Sequence, residues 1–256
     1  MNLYRFSYKG KESWGALEQG MLRVLSGDVV EGDATPSAEL VAFADAELLC
    51  PVKQPSKIIG VGLNYKSVAA AKGVELPSEP TIFLKPPSSV VGPGQSIVVP
   101  SIVKNPAFEV ELAVVMGRKA KNVAAGKALD YVFGYTLGND VTAKDHMIKG
   151  QPWTRGKSFD TFTPLGPCIA TADSVNPYDV PLIASVNGHI KQSGSTGDMI
   201  FDVAALIAFI SGIMTLEPGD VILTGTLPGS GEIGIGDVVT LSSLFIGTME
   251  NKVVAG

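Results

Sequence analysis

The run Phe108-Glu109-Val110-Glu111-Leu112-Ala113-Val114-Val115-Met116 constrains the fold more than any other stretch of this 256-residue chain. After Glu111 the apolar residues continue without a break, so a strand here has no polar face and its far end must be covered on both sides. Side chains of an extended strand repeat every two residues, which puts Glu109 and Glu111 on one face with Cβ atoms about 7 Å apart. Acidic residues entering a buried strand need a partner, because a desolvated carboxylate without one is costly. The chain is therefore expected to enclose a sheet in which these two glutamates meet something that compensates them.

The rest of the chain reads as many strands joined by turns. Its 29 glycines and 17 prolines punctuate short apolar runs, and no internal repeat or low-complexity tract is visible. Residues 3–6 and 21–25 alternate and suggest a small N-terminal sheet. Residues 32–37 are turn-like, and 49–56, with two prolines, resemble a linker. Longer strands are expected at 58–61, 82–84, 108–116, 132–137, 183–186, 221–223 and 238–241, with a tight hairpin at Asn187-Gly188. Helical patterns are few: 66–72, 124–129 and 203–214, the last apolar enough to be sealed against the sheet. The expected organisation is a small β-rich N-terminal subdomain over 1–50 and a main body over 57–256, in an α+β, β-rich fold.

Composition excludes several function classes. A net charge of −5 and no Lys/Arg cluster give no footprint for nucleic acid. The longest apolar run, residues 203–214, is too short to span a bilayer, and no apolar stretch follows the first residues as a signal peptide requires. Cys50 and Cys168 lie far apart with no CxxC pattern and read as free thiols. A cytoplasmic location is expected. Charged residues are only 18% of the chain, which suggests that surface is hidden in a subunit interface.

Asp140 closes another apolar segment, Phe133-Gly134-Tyr135-Thr136-Leu137-Gly138-Asn139-Asp140. Three converging carboxylates would repel one another and raise their own pKa values. A divalent cation resolves this, and ligation by oxygen alone selects Mg²⁺, Mn²⁺ or Ca²⁺ over Zn²⁺. Three protein ligands leave about three octahedral positions for water or substrate, as in a catalytic rather than a structural site.

At these residues the sequence resembles the fumarylacetoacetate hydrolase family across roughly residues 57–254. The resemblance is carried by Val61-Gly62-Leu63-Asn64-Tyr65, Phe83-Leu84-Lys85-Pro86-Pro87-Ser88, the Glu109/Glu111 pair, Gly134-Tyr135-Thr136 leading to Asn139-Asp140-Val141, the stretch from Trp153 through Lys157 to Phe162, Val186-Asn187-Gly188, and Leu223-Thr224-Gly225-Thr226. Each motif is short, but their order and spacing are specific. The resemblance implies a mixed β-roll assembled as a homodimer, with Mg²⁺ or Mn²⁺ (Ca²⁺ can take the place in a crystal) held by Glu109, Glu111 and Asp140. It implies a small oxo-acid substrate that chelates the cation through its carboxylate and keto oxygens, the cation acting as Lewis acid on an enolate. It also implies Lys157 as the active-site lysine and Thr226 as a substrate contact, with Tyr65 and Lys85 as further candidates for the pocket.

The chain departs from the family's pattern where proton transfer is usually done. Hydrolytic members carry a His and a Glu on a short lid helix in the pattern N-Y-x-x-H-x-x-E. Here Val68 and Ala71 occupy those positions, and neither side chain can take a proton. A glutamine often found after the aspartate ligand is replaced by Met147. His146 and, less directly, Glu75 are candidate substitutes, whereas His189 in the hairpin is expected to face solvent. The sequence thus points to a divalent-metal-dependent enzyme acting on a 2-oxo or β-diketo acid by decarboxylation, isomerisation, tautomerisation or C–C cleavage. Two alternatives stand beside it: a C–C hydrolase of the acylpyruvate type with a substitute base, and a specialised biosynthetic enzyme or impaired family member that only binds.

Overall fold

Val110–Met116 is the middle of the molecule, all seven of its residues buried. It lies between the antiparallel strands Val132–Asn139 and Val221–Thr226. The computed structural model describes residues 1–30 and 32–256. Among the described residues, the largest sheet continues from Val132–Asn139 through Thr163–Thr171, Asn2–Tyr8, Lys11–Glu18 and Met21–Ser26 to Thr35–Ala42. On the other side it runs from Val221–Thr226 to Ile58–Gly62 and Thr81–Lys85. Ile58–Gly62 pairs in parallel with Val221–Thr226, whereas most neighbours are antiparallel, so the sheet is mixed. A second, five-stranded sheet is formed by His189–Ser195, Pro181–Val186, Val238–Ser243, Gly247–Ala255 and Ile97–Val99.

The expected strand over 108–116 is interrupted. Pro106–Phe108 belongs to a small separate sheet with Thr142–Ala143 and Gly231–Glu232, and Glu109 is the residue between the two strands. The ladder breaks there because the Glu109 N–H donates to the side-chain Oδ1 of Asn139 (2.9 Å), and the Asp140 N–H donates back to the Glu109 carbonyl (2.9 Å). The glutamates therefore do not sit on one continuous strand face.

Other expectations shift by smaller amounts. The segment 32–37 is only partly a turn, since Thr35–Ala42 is a strand. The linker 49–56 begins inside Glu47–Leu49, which pairs with Asn2–Tyr8, and Val52 is buried. Residues 124–129 form a 3₁₀ segment, Ala125–Tyr131, closed by i→i+3 bonds such as Lys127 N–H to the Ala124 carbonyl, because a single buried residue, Ala128, gives it no apolar face to propagate an α-helix. The N-terminal strands hydrogen-bond to the main sheet through Asn2 and Leu3 against Ala170 and Ile169.

Three α-helices matter for the site, and the shortest, Thr154–Lys157, ends on the buried Lys157. Val203–Ile213 is capped by Asp202, whose Oδ1 accepts the Ala205 N–H, and it buries Val203, Leu206, Ile207 and Ile210 in the core that holds Leu112 and Val114. Each such fully buried aliphatic side chain contributes about 1.5–3 kcal/mol of hydrophobic stabilisation. Lys66–Lys72 is short, ends on Gly73 in the left-handed conformation, and buries only Ala69. Its start is anchored: the Ser67 N–H donates to Asp198 (3.0 Å), and Asn64 bonds Phe201 and Thr224. Among the described residues no helix is long and apolar enough to cross a membrane.

Candidate metal centre and active site

Three strand ends bring the carboxylates together. Glu109 sits at the break described above, Asp140 follows directly on Val132–Asn139, and Glu111 is the second residue of Val110–Met116. Their carboxylate oxygens lie within 4.8 Å of one another. Glu111 and Asp140 are only 2% and 1% exposed, so water compensates neither.

Two buried lysines meet the cluster. The Lys157 ammonium donates to Glu109 Oε2 (2.7 Å) and Asp140 Oδ2 (2.5 Å). Lys85 donates to Asp140 Oδ1 (2.6 Å) and to the Val141 carbonyl (3.2 Å). Glu111 has no lysine. Its Oε2 accepts one backbone N–H, from Gly225 at 2.7 Å. Gly225 has φ +99°, and a Cβ there would stand 2.8 Å from Asn64 Cβ, so the glycine lets the backbone turn its N–H onto the carboxylate.

The charges separate accordingly. Burial pushes the Asp140 carboxyl up, but Lys157 and Lys85 outweigh it and hold it below the usual range. Burial raises Glu111, and the charges of Asp140 and Glu109 add to that, so its carboxyl sits well above the usual range. Burial alone would lower Lys157, yet Asp140 and Glu109 hold it above the usual lysine range. At Lys85 burial wins and lowers it. Three carboxylates against two ammoniums leave one carboxyl without a countercharge, and Glu111, raised by burial and by its acidic neighbours, is the one that resists ionising. An all-carboxylate donor set at this spacing, with an uncompensated member, fits a hard divalent cation.

The carboxylates and Lys157 form the floor of a cleft of about 580 Å³. Trp153 and Phe83 line one wall with ring centroids 5.4 Å apart, and the Trp153 ring occupies the space that a side chain at Gly62 would fill. Val68 and Ala71, from the helix Lys66–Lys72, form the rim with Met147 and with two lysines, Lys72 and Lys144. Among the described residues no histidine lines the cleft.

Thr226 lines the cleft, its hydroxyl donating to the Val110 carbonyl (2.8 Å) and accepting from Gln192 Nε2 (2.9 Å). Lys85 stands behind the floor, and Tyr65 is wholly buried outside the lining. His146 also lies outside it: its Nε2 is 3.1 Å from the Ile102 carbonyl and its ring packs edge-on against Phe159. Glu75 is exposed beyond the end of the helix, and His189 is exposed.

Sequence reasoning missed the groups that hold the ligands in place. Asn139 clasps the Glu109 backbone. Gln192, 1% exposed, accepts the Val110 N–H (2.9 Å) and donates to Thr226 and to the Leu227 carbonyl. Asn139 stood next to a ligand and could have been weighed. Gln192 lies in a mostly exposed strand on a different sheet, and no local pattern marks it.

Residues 57–254 match the model of the fumarylacetoacetate hydrolase C-terminal domain, and residues 1–51 match an N-terminal domain described as Rv2993c-like. The chain is 41% identical over 243 residues to the mitochondrial oxaloacetate tautomerase FAHD2A of Homo sapiens, covering 88% of this chain and 77% of that one. Its fold superposes on a crystal structure of 2-hydroxyhepta-2,4-diene-1,7-dioate isomerase from Mycobacterium marinum with a TM-score of 0.91, at 40% identity, covering 100% and 98% of the two chains. It also matches a maleylpyruvate hydrolase from Sphingobium sp. SYK-6 in complex with manganese(II) and pyruvate, with a TM-score of 0.83 and 28% identity over the whole of both chains.

Proposed function

From the premise that this chain belongs to the fumarylacetoacetate hydrolase family of enzymes, we propose that it interconverts the keto and enol forms, or shifts the double bond, of a small 2-oxo acid, with a Mg²⁺ or Mn²⁺ ion on Glu109, Glu111 and Asp140. The observation that carries this reading is the composition of the cleft: the rim positions where a hydrolytic base would face the floor are Val68 and Ala71. Moving a proton off the carbon next to the keto group and back to carbon or oxygen needs a carrier in exchange with solvent, a part Lys157 or water can take. It needs no water activated as a nucleophile, whereas hydrolysis does. The oxaloacetate tautomerase and dienedioate isomerase relatives catalyse reactions of the proposed kind.

A divalent cation held by Glu109, Glu111 and Asp140 would supply Lewis acidity toward the keto oxygen of the substrate. Everything else is done by the chain. Lys157, bonded to Glu109 and Asp140, places a fixed positive charge at the floor, where the negative charge of the substrate develops. With Glu111 ionised, three carboxylates, two ammoniums and a divalent cation would leave one surplus positive charge, which suits an anionic substrate. Thr226, held by Val110 and Gln192, sets the floor's edge, and the Phe83–Trp153 wall keeps water from one side. The assembly proposed is a homodimer, as the family resemblance implies.

The test is solvent-deuterium incorporation at the carbon next to the keto group, followed by NMR in Mg²⁺-loaded protein with oxaloacetate, alongside pyruvate release from acylpyruvates. Fast exchange with little acylpyruvate cleavage is expected. Acylpyruvate hydrolysis outrunning exchange overturns the reading.

A further inference from the structure

Tyr65 is a fully buried residue whose hydroxyl has no hydrogen-bond partner. A buried hydroxyl left unpaired costs about 1–3 kcal/mol, so natural chains keep few of them without reason. Its place is rigid. Tyr65 forms a β-bridge with Met199, caps the helix Lys66–Lys72, and follows Asn64, whose side chain is bonded to Phe201 and to the Thr224 carbonyl. The peptide after Thr224 carries the Gly225 N–H, the one donor that Glu111 has. The phenol thus belongs to the packed unit that serves Glu111, and the charges of Glu111 and Asp198, after burial itself, hold it in its neutral, donating form.

Glu111 is the complementary case. Asp140 takes two ammoniums and Glu109 one, whereas Glu111 takes a single backbone N–H and leaves Oε1 unserved. The phenol is walled in by protein, and the Glu111 carboxylate whose charge acts on it lines the cleft with no side-chain donor of its own. Resting on the cation reading above, we propose that Tyr65 is a positioning residue for the metal centre, its phenol being the second hydrogen-bond donor of Glu111 in the cation-loaded protein. Partners of this kind orient a ligand and sharpen its basicity, and losing one typically costs 10–100-fold in metal affinity, an order-of-magnitude guide. The hydroxyl is then a cost carried by the metal-free protein and recovered on loading.

The experiment is calorimetric titration of wild type, Tyr65→Phe and Ser67→Ala with Mn²⁺ alone, with thermal melts in chelator and in Mn²⁺. Tyr65→Phe is expected to bind Mn²⁺ about 10–100-fold more weakly, yet to melt in chelator at or above wild type, because the unpaired hydroxyl is gone. Ser67→Ala removes the neighbouring hydroxyl bond to Asp198 and is expected to leave Mn²⁺ affinity unchanged. Equal affinity of Tyr65→Phe and wild type overturns the proposal while the cation reading stands. Equal weakening by Ser67→Ala also overturns it, since the effect would then be a loosened segment. A wild type that binds no Mn²⁺ overturns the cation reading and this inference with it.

Discussion

The floor of the cleft and its rim come from different parts of the fold and obey different physics. The floor is strand ends tied into the central sheet: Glu111 and Asp140 are buried, and Lys157 and Lys85 are held at hydrogen-bond distance. The rim is one short helix with a single buried residue, Ala69, fastened at its first turn and solvated at its end. Changing a floor residue leaves a charge without a partner in a dry site. Changing a rim residue alters what faces the substrate at little cost to the fold. Such a division lets one scaffold hold a constant cation chemistry while the reaction is set by what the rim presents.

The largest expected effect is on the floor. Asp140→Ala removes a proposed ligand, leaves Lys85 as a buried cation with only the Val141 carbonyl, and leaves Lys157 with Glu109 alone. Breaking a buried pair from one side costs about 3–5 kcal/mol. The variant should fail to bind Mn²⁺ by calorimetry and should melt well below wild type even in chelator. Retained Mn²⁺ affinity would remove Asp140 from the ligand set.

Next is Lys157→Met, which keeps the stem and deletes the charge. Turnover in the exchange assay should fall by about 10²–10³, the usual effect of losing one group that stabilises developing charge. Mn²⁺ affinity should not weaken, since a competing cation has been taken from Glu109 and Asp140. Loss of affinity together with turnover would make Lys157 a scaffold for the carboxylates rather than a partner of the substrate.

Much of this division was legible in the sequence, unevenly. The strand 110–116 announced itself because a buried strand has no polar face. The break at Glu109 did not, because it is made by Asn139 and Asp140, distant in sequence. The nine-residue strand Thr163–Thr171 was hidden by Pro164 and Pro167, which locally argue against a central strand. The acidic trio could be argued from charge repulsion alone, whereas Lys157 entered only through family resemblance, since nothing local distinguishes it from a surface lysine. Lys85 carried too little local signal to show that it would stand behind Asp140 rather than in the cleft. The rim helix was legible to the residue, Lys66–Lys72, because helix propensity and the terminal glycine act locally.

A smaller effect follows from the unequal charges of the floor. Glu111 is raised in the folded protein above its unfolded value of about 4.3. A raised carboxyl makes the folded state hold its proton longer than the unfolded chain does. Its contribution in metal-free protein is thus most favourable below the unfolded pKa and is lost as pH rises toward the folded one. Asp140, held low by Lys157 and Lys85, works in the opposite sense, its contribution being lost only in stronger acid. Cation binding must expel the Glu111 proton, so Mn²⁺ affinity should fall about tenfold per pH unit on the acid side of that pKa. Calorimetry at a series of pH values in buffers of different ionisation enthalpy measures both the slope and the released proton. A flat profile would place Glu111 already ionised.

The smallest effect belongs to the rim and tests the comparison most directly. Val68→His with Ala71→Glu installs an ionisable pair at partly and fully exposed positions one helical turn apart. Ala71 is exposed and Val68 is half buried against the core, so stability should fall by no more than about 1 kcal/mol, and Mn²⁺ affinity should be unchanged. Keto–enol exchange should stay close to wild type, because the groups that serve it lie on the floor. Acylpyruvate hydrolysis should become measurable, because a base now faces the cleft where the wild type presents only carbon. If the double variant instead lost Mn²⁺ or melted markedly lower, the helix would be coupled to the floor more tightly than its single anchored turn allows. The separation of cation chemistry from reaction choice would then fail.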